Sequence, residues 1–131
     1  MPVRVEEVRR LAEEFESCQK ILLALGDENR QHLMLEMMRI EDCGGVRVGE
    51  ITEKTHLSRP AVSHHIQILK DAGILKRRRE GTKNYYYFDA DLAAMNRLIY
   101  MLEHARDIME WLPDRSEAWY EGAGGFAGKP T

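Results

Sequence analysis

The sequence offers no run of about 18 consecutive apolar residues, so it holds no candidate membrane-spanning helix. Its opening, MPVRVEEVRR, lacks the apolar segment of a secretory signal, and a cytoplasmic location is expected. Cysteine is scarce: Cys18 and Cys43 are too few for a disulfide framework and form no CxxC zinc or thioredoxin pattern. Glycine-rich phosphate loops, nucleophile elbows and HExxH are all missing, so the chain is not expected to be an enzyme. There is no internal repeat. What remains is 131 residues, 44% of them hydrophobic, enough for one ordinary domain with a real core.

The charge is distributed unevenly. Between Lys54 and Lys83 stand eight basic side chains (Lys54, Arg59, Lys70, Lys76, Arg77, Arg78, Arg79, Lys83) against Asp71 and Glu80, a local charge of +6. The whole chain carries −3, so everything outside that segment carries −9. A basic stretch on an acidic body points to a surface that binds a polyanion.

Apolar spacing predicts one long helix from about Val5 to Leu25, with Val8, Leu11, Phe15, Cys18, Leu22 and Leu25 on one face and Gly26 ending it. Asp27 then caps a helix over roughly Glu28 to Arg39 that buries Leu33, Met34, Met37 and Met38. Val46 to Val48 reads as a brief extended piece and Gly49 to Thr55 as a short helix. Ser58 is an N-cap, Pro60 sits in the first turn, and Gly73 follows the last. The enclosed helix turns Val62, His65, Ile66 and Leu69 inward, making His65 a hydrogen-bonded core residue. Arg59, Ser63, His64, Gln67 and Lys70 lie on its outer side. A hairpin follows, Ile74 to Arg79 and Tyr85 to Phe88 about a turn over Glu80 to Asn84, with the tyrosines as sheet and core material. Strand alternation puts Arg77 and Arg79 on one face and Arg78 on the other. Asp91 opens a last helix reaching about Leu112, apolar over an arc wide enough to suggest a subunit interface with the first helix.

This order is that of a winged helix-turn-helix: mainly α with a small β-hairpin wing. The domain spans 1–112, with a recognition helix over about 58–72, a wing over about 74–88, a last helix over about 91–112, and a C-terminal tail at 113–131 that frays over 121–131. Short polar and basic side chains near the start of a recognition helix reach base edges in the major groove, and wing cations reach phosphates. The expected DNA-binding set is Ser58, Arg59, Pro60, Ser63, His64, Gln67, Lys70, Arg77, Arg79 and Lys83. The competing reading, a winged-helix module for protein–protein assembly, requires that outer face to be blocked or acidic.

The stretch from Leu57 to Leu75, with Val48-Gly49-Glu50-Ile51 before it and Gly81 and Tyr86-Tyr87 after it, resembles the ArsR/SmtB family of bacterial repressors. The resemblance implies a homodimer through the first and last helices, two recognition helices on a palindromic operator in double-stranded DNA, and repression relieved by a ligand, often a metal. The family's Cys-x-Cys sensor has no counterpart in Val46-Arg47-Val48. Its other site, on the last helix, corresponds here to Asp91, Ala93, His104 and Asp107; Ala93 cannot ligate, and the other three leave zinc as a candidate cofactor. Alternatively Asp91 is a helix cap, and His104 with Asp107 an ordinary i,i+3 pair. Cys43, in a loop before Gly44-Gly45, is the candidate for thiol sensing, and an organic effector or none is the further alternative.

Overall fold

The computed structural model describes residues 2–40 and 44–112. Among the described residues, six helices and one hairpin occur in the order α1 (Pro2–Ser17), α2 (Gln19–Leu25), α3 (Glu28–Arg39), α4 (Val48–Thr55), α5 (Arg59–Asp71), β1 (Leu75–Glu80), β2 (Lys83–Phe88) and α6 (Ala93–Trp111). Leu33, Ile51, Val62 and Leu69 are fully buried at the centre, joined by Ile21, Ala24, Met37, Ile66, Leu98 and Met101.

The first predicted helix is in fact two. Cys18, at φ −99° and ψ 4°, falls between α1 and α2. Ser17 Oγ donates to Glu14 O at 2.7 Å, a back-bond that bends helices, and Cys18 N–H reaches Phe15 O at 3.1 Å in a tightened turn. Cys18 itself is buried. The expected apolar face of this segment does not stay intact either. Val8 and Phe15 are exposed, while Glu7, Leu11 and Glu14 occupy the half-buried side that meets α6. Met38, expected in the core, is also exposed, being one position beyond the buried Met34–Met37 pair.

Asp27 caps α3 as expected, its carboxylate accepting from Arg30 N–H at 3.0 Å. The extended piece before α4 docks on the hairpin: Val46 and Tyr86 exchange both backbone hydrogen bonds at 2.8 Å. Val48 has already entered α4. The residue before Val46, Gly45, has φ +107°, and a Cβ there would come within 3.1 Å of Tyr85 Cβ and Tyr86 O.

The hairpin is tighter than predicted. Pairing runs from Leu75↔Phe88 to Glu80↔Lys83, so only Gly81 and Thr82 form the turn and Lys83 and Asn84 belong to β2. Gly81 has φ +60°, the conformation that two-residue hairpins of the II′ type place at their first central residue. The last helix starts later than expected, at Ala93. Asp91 lies outside it and accepts Ala93 N–H at 3.1 Å. Residues 113–131, read as a tail, lie outside the described residues.

Candidate nucleic-acid interface

The bend from α4 into α5 takes three residues. His56 closes α4 in the left-handed region at φ 60°, its N–H bonded to Thr52 O. Leu57 tucks against the core, and its N–H donates to Thr55 Oγ1 at 3.3 Å. Ser58 then caps α5, its hydroxyl accepting Ala61 N–H at 3.2 Å, with Pro60 in the first turn where no N–H is needed.

That bend leaves one side of α5 on the core and the other in solvent. Val62, Ile66 and Leu69 are buried; Ser58, Arg59, Pro60, Ser63, His64 and Gln67 are exposed. Lys70 is half-buried near the far end, and Gln67 Nε2 donates to Asp71 Oδ1 at 2.9 Å, one turn along the same helix. His65 lies half-buried on the inner side, with its Nδ1 3.3 Å from Arg30 Nη1. Desolvation holds its pKa below the ordinary histidine value, with Arg30 and His64 acting the same way and Asp27 opposing them.

The helix ends in a Schellman arrangement. Ile74 N–H bonds Leu69 O at 2.9 Å and Gly73 N–H bonds Lys70 O at 3.0 Å, with Gly73 at φ +81°. The chain passes from there directly into β1. Register places Arg77 opposite Tyr86 and Arg79 opposite Asn84, so these four share a face, and both arginines are exposed. Arg79 Nε donates to Gly81 O at 3.0 Å. The other face carries Arg78, Tyr85, Glu80 and Lys83. Lys83 thus stands apart from Arg77 and Arg79.

Arg78 is turned to the body of the protein. It lies 4.7 Å from the Tyr85 ring centroid, pairs with Glu80, and donates through Nη2 to Gly44 O at 2.8 Å. Between wing, α4 and the start of α5 runs a groove of about 540 Å³, walled in part by Arg47, Arg59, Thr82 and Asn84. Arg47, exposed at the N-cap of α4, does not stand out in the sequence. Its nearness to Arg59 arises from the Val46–Tyr86 docking, which spacing alone does not reveal.

Within this chain the residues weighed for a metal are engaged with other partners. Both ring nitrogens of His104 are taken by carboxylates of α1: Nδ1 lies 2.5 Å from Glu14 Oε1 and Nε2 2.6 Å from Glu7 Oε2. His104 is therefore no simple i,i+3 partner of Asp107. Its pKa is raised, by the Glu14 bond first and the Glu7 bond second, which favours a protonated ring without a lone pair for a metal. Asp91, well before it in the chain, is spent on the start of α6, and Ala93 offers no donor. Among the described residues no group of three or more His, Cys, Asp or Glu is placed to hold a metal ion. Cys43 lies outside the described residues.

Comparison with known proteins agrees with this architecture. Residues 27–77 match the family described as "Bacterial regulatory protein, arsR family". An uncharacterized HTH-type transcriptional regulator of Methanocaldococcus jannaschii is 40% identical over 79 residues, covering 60% of this chain and 85% of that protein. A transcriptional repressor SmtB homolog of Synechocystis is 32% identical over 111 residues, 80% of each chain. In structure, the chain resembles an ArsR family transcriptional regulator at a TM-score of 0.60 and 19% identity, over 75% of this chain and 95% of the other, a likeness of fold. With the reading helix, the wing and the two long alignments in agreement, this chain belongs to the arsR family and is a winged helix-turn-helix, DNA-binding transcriptional regulator.

Proposed function

We propose that this regulator is a homodimeric repressor, a single domain over residues 1–112, that lies across a palindromic operator and is released by a signal. The observation that carries the reading is the bare polar face of α5, flanked by the exposed arginines of the wing. Arg59, Ser63, His64 and Gln67 supply base contacts, while Ser58 and Pro60 set the helix start against the DNA backbone. Arg77 and Arg79 neutralise phosphates beside the reading helix, with Lys70, Lys83 and Arg47 adding to the field.

Dimerisation is supported by what α6 leaves uncovered. Met95, Leu102 and Met109 recur every seven residues and are all exposed, with Ile99 and Leu112 beside them. Val5, Val8 and Phe15 are likewise exposed on α1, which packs on α6. Monomeric proteins rarely leave so much apolar side chain contiguous in water.

The test is fluorescence anisotropy on a labelled duplex from immediately upstream of the protein's own gene, at low and moderate salt, then with zinc, chelator or oxidant. Binding that is selective over random duplex and falls steeply with salt is the expected result. Absence of binding to either duplex sinks the reading and favours a protein–protein module. An additive that releases the DNA identifies the class of signal; indifference to all three points to an organic effector or to a constitutive regulator.

A further inference from the structure

Arg30 is a charged side chain in the interior, only 8% exposed. Its guanidinium is divided among three acceptors: Nε donates to Ala24 O at 2.9 Å, Nη2 to Leu23 O at 2.8 Å, and Nη1 faces His65 Nδ1 at 3.3 Å. Two of these acceptors are carbonyls in the last turn of α2, where Leu23 O also accepts Gly26 N–H at 3.3 Å. Arg30 is thus held by backbone and presents its third donor toward α5.

The chemistry fixes the state of His65. A guanidinium has donors only and stays charged, so Nδ1 must be the acceptor and the ring proton must sit on Nε2. The charged and titratable groups acting on this ring are Asp27 at the start of α3, Arg30 on α3, and His64 on α5 itself. Protonation of Nδ1 removes the acceptor and sets a second cation against Arg30. The geometry therefore favours a neutral ring with one defined tautomer.

Besides His65, α5 meets the body through the buried Val62, Ile66 and Leu69 and the partly buried Ile68, and this apolar packing carries no direction of its own. Apolar packing alone supplies no polar reference against small rotations of the helix about its axis. They are opposed strongly by a hydrogen bond whose donor is anchored elsewhere. We propose that Arg30 and His65 are positioning residues for sequence reading: Arg30, anchored on the end of α2, donates to His65 Nδ1 and fixes the rotation of α5 at which Arg59, Ser63, His64 and Gln67 meet base edges. The role rests on α5 being the base-reading helix.

The experiment compares the wild type with His65→Phe, His65→Asn and Arg30→Lys, each verified as folded by circular dichroism, on the own-promoter duplex and on random duplex. Phenylalanine keeps the ring and removes the acceptor; asparagine places an acceptor oxygen near the position of Nδ1. His65→Phe and Arg30→Lys are expected to lower the preference for promoter over random duplex about tenfold, the scale of one hydrogen bond to a charged group. His65→Asn is expected to recover most of that preference. A merely structural defect lowers binding to both duplexes alike and overturns the positioning role.

Nitrogen-15 shifts of the imidazole, recorded without DNA, are expected to show the Nε2–H tautomer in the wild type. Across pH, selectivity is expected to fall as the wild type is acidified through the His65 titration, and the His65→Asn variant lacks that component. An Nδ1–H tautomer, equal losses for phenylalanine and asparagine, or unchanged selectivity in His65→Phe each overturns the proposal. If the wild type itself shows no preference between duplexes while the tautomer is as stated, the assignment of α5 as reader falls, and this role with it.

Discussion

The reading end of the molecule and the α1–α6 pair are built in opposite senses. On α5 and the wing, apolar residues turn inward and Arg59, His64, Gln67, Arg77 and Arg79 stand in solvent. Between α1 and α6 the order is reversed. Glu7, Glu14 and His104 are turned toward each other at the seam, and Val8, Phe15, Leu102 and Met109 face out. A surface of the first kind suits a hydrated polyanion, and one of the second kind suits another apolar surface. The two helices therefore hold each other partly by charge, keeping their apolar stripes available.

The contrast is best broken at Leu102. Leu102→Asp puts a charge in the outward stripe and is expected to give monomers in sedimentation velocity. A monomer can engage only one half-site, so promoter binding should weaken by roughly a hundredfold or more. Dimers of normal mass would show that the stripe is not the interface.

Arg59→Ala strikes the other surface. It is expected to cost about 1–3 kcal/mol on the promoter duplex and to relax base preference, measured by anisotropy on single-base variants of that duplex. Unchanged affinity removes Arg59 from the reading set. Neutralising Arg77 and Arg79 together should weaken all sequences alike and reduce the salt slope by about one for each phosphate no longer neutralised. A weakening confined to the promoter would contradict the wing's role.

The smallest expected effect lies at the seam. The folded-state pKa of His104 is raised, so its contribution is fully present below the unfolded value of about 6.5 and is lost as pH rises through the folded value. Thermal denaturation of the wild type against His104→Gln should therefore differ most near pH 6 and converge in alkali. The difference should be a few degrees at most, because the pair lies near solvent. A gap that widens with pH would reverse this assignment.

Much of the architecture was legible because its signals are local. Ser58, Pro60 and Gly73 mark the ends of α5 by capping chemistry, and the 3.6-residue period separates Val62, Ile66 and Leu69 from Arg59, Ser63 and His64. Hairpin alternation likewise separated Arg78 from Arg77 and Arg79. What was not legible is long-range. No spacing announces that His104 lies between Glu7 and Glu14, at the other end of the described chain, or that Arg30 meets His65. The break at Cys18 was hidden because the residues on both sides keep helical periodicity, and it takes a Ser17 back-bond to bend the chain there. The stripe of the first segment divides for a related reason: Leu11, Cys18, Leu22 and Leu25 meet the core while Val8 and Phe15 are exposed, and periodicity identifies a face without saying what covers it.

Gly73 has a bearing on how such a protein can be re-engineered. A Cβ at this residue would lie 3.3 Å from Ala94 Cβ, while Asp89 N–H bonds Ile74 O at 2.8 Å, so the end of α5, the root of the wing and the start of α6 converge on one spot. No slack linker separates the specificity element from the last helix. A chimera that imports a foreign reading helix must bring a glycine at its end and keep a small residue at the Ala94 position, or the graft will be forced out of line at the joint.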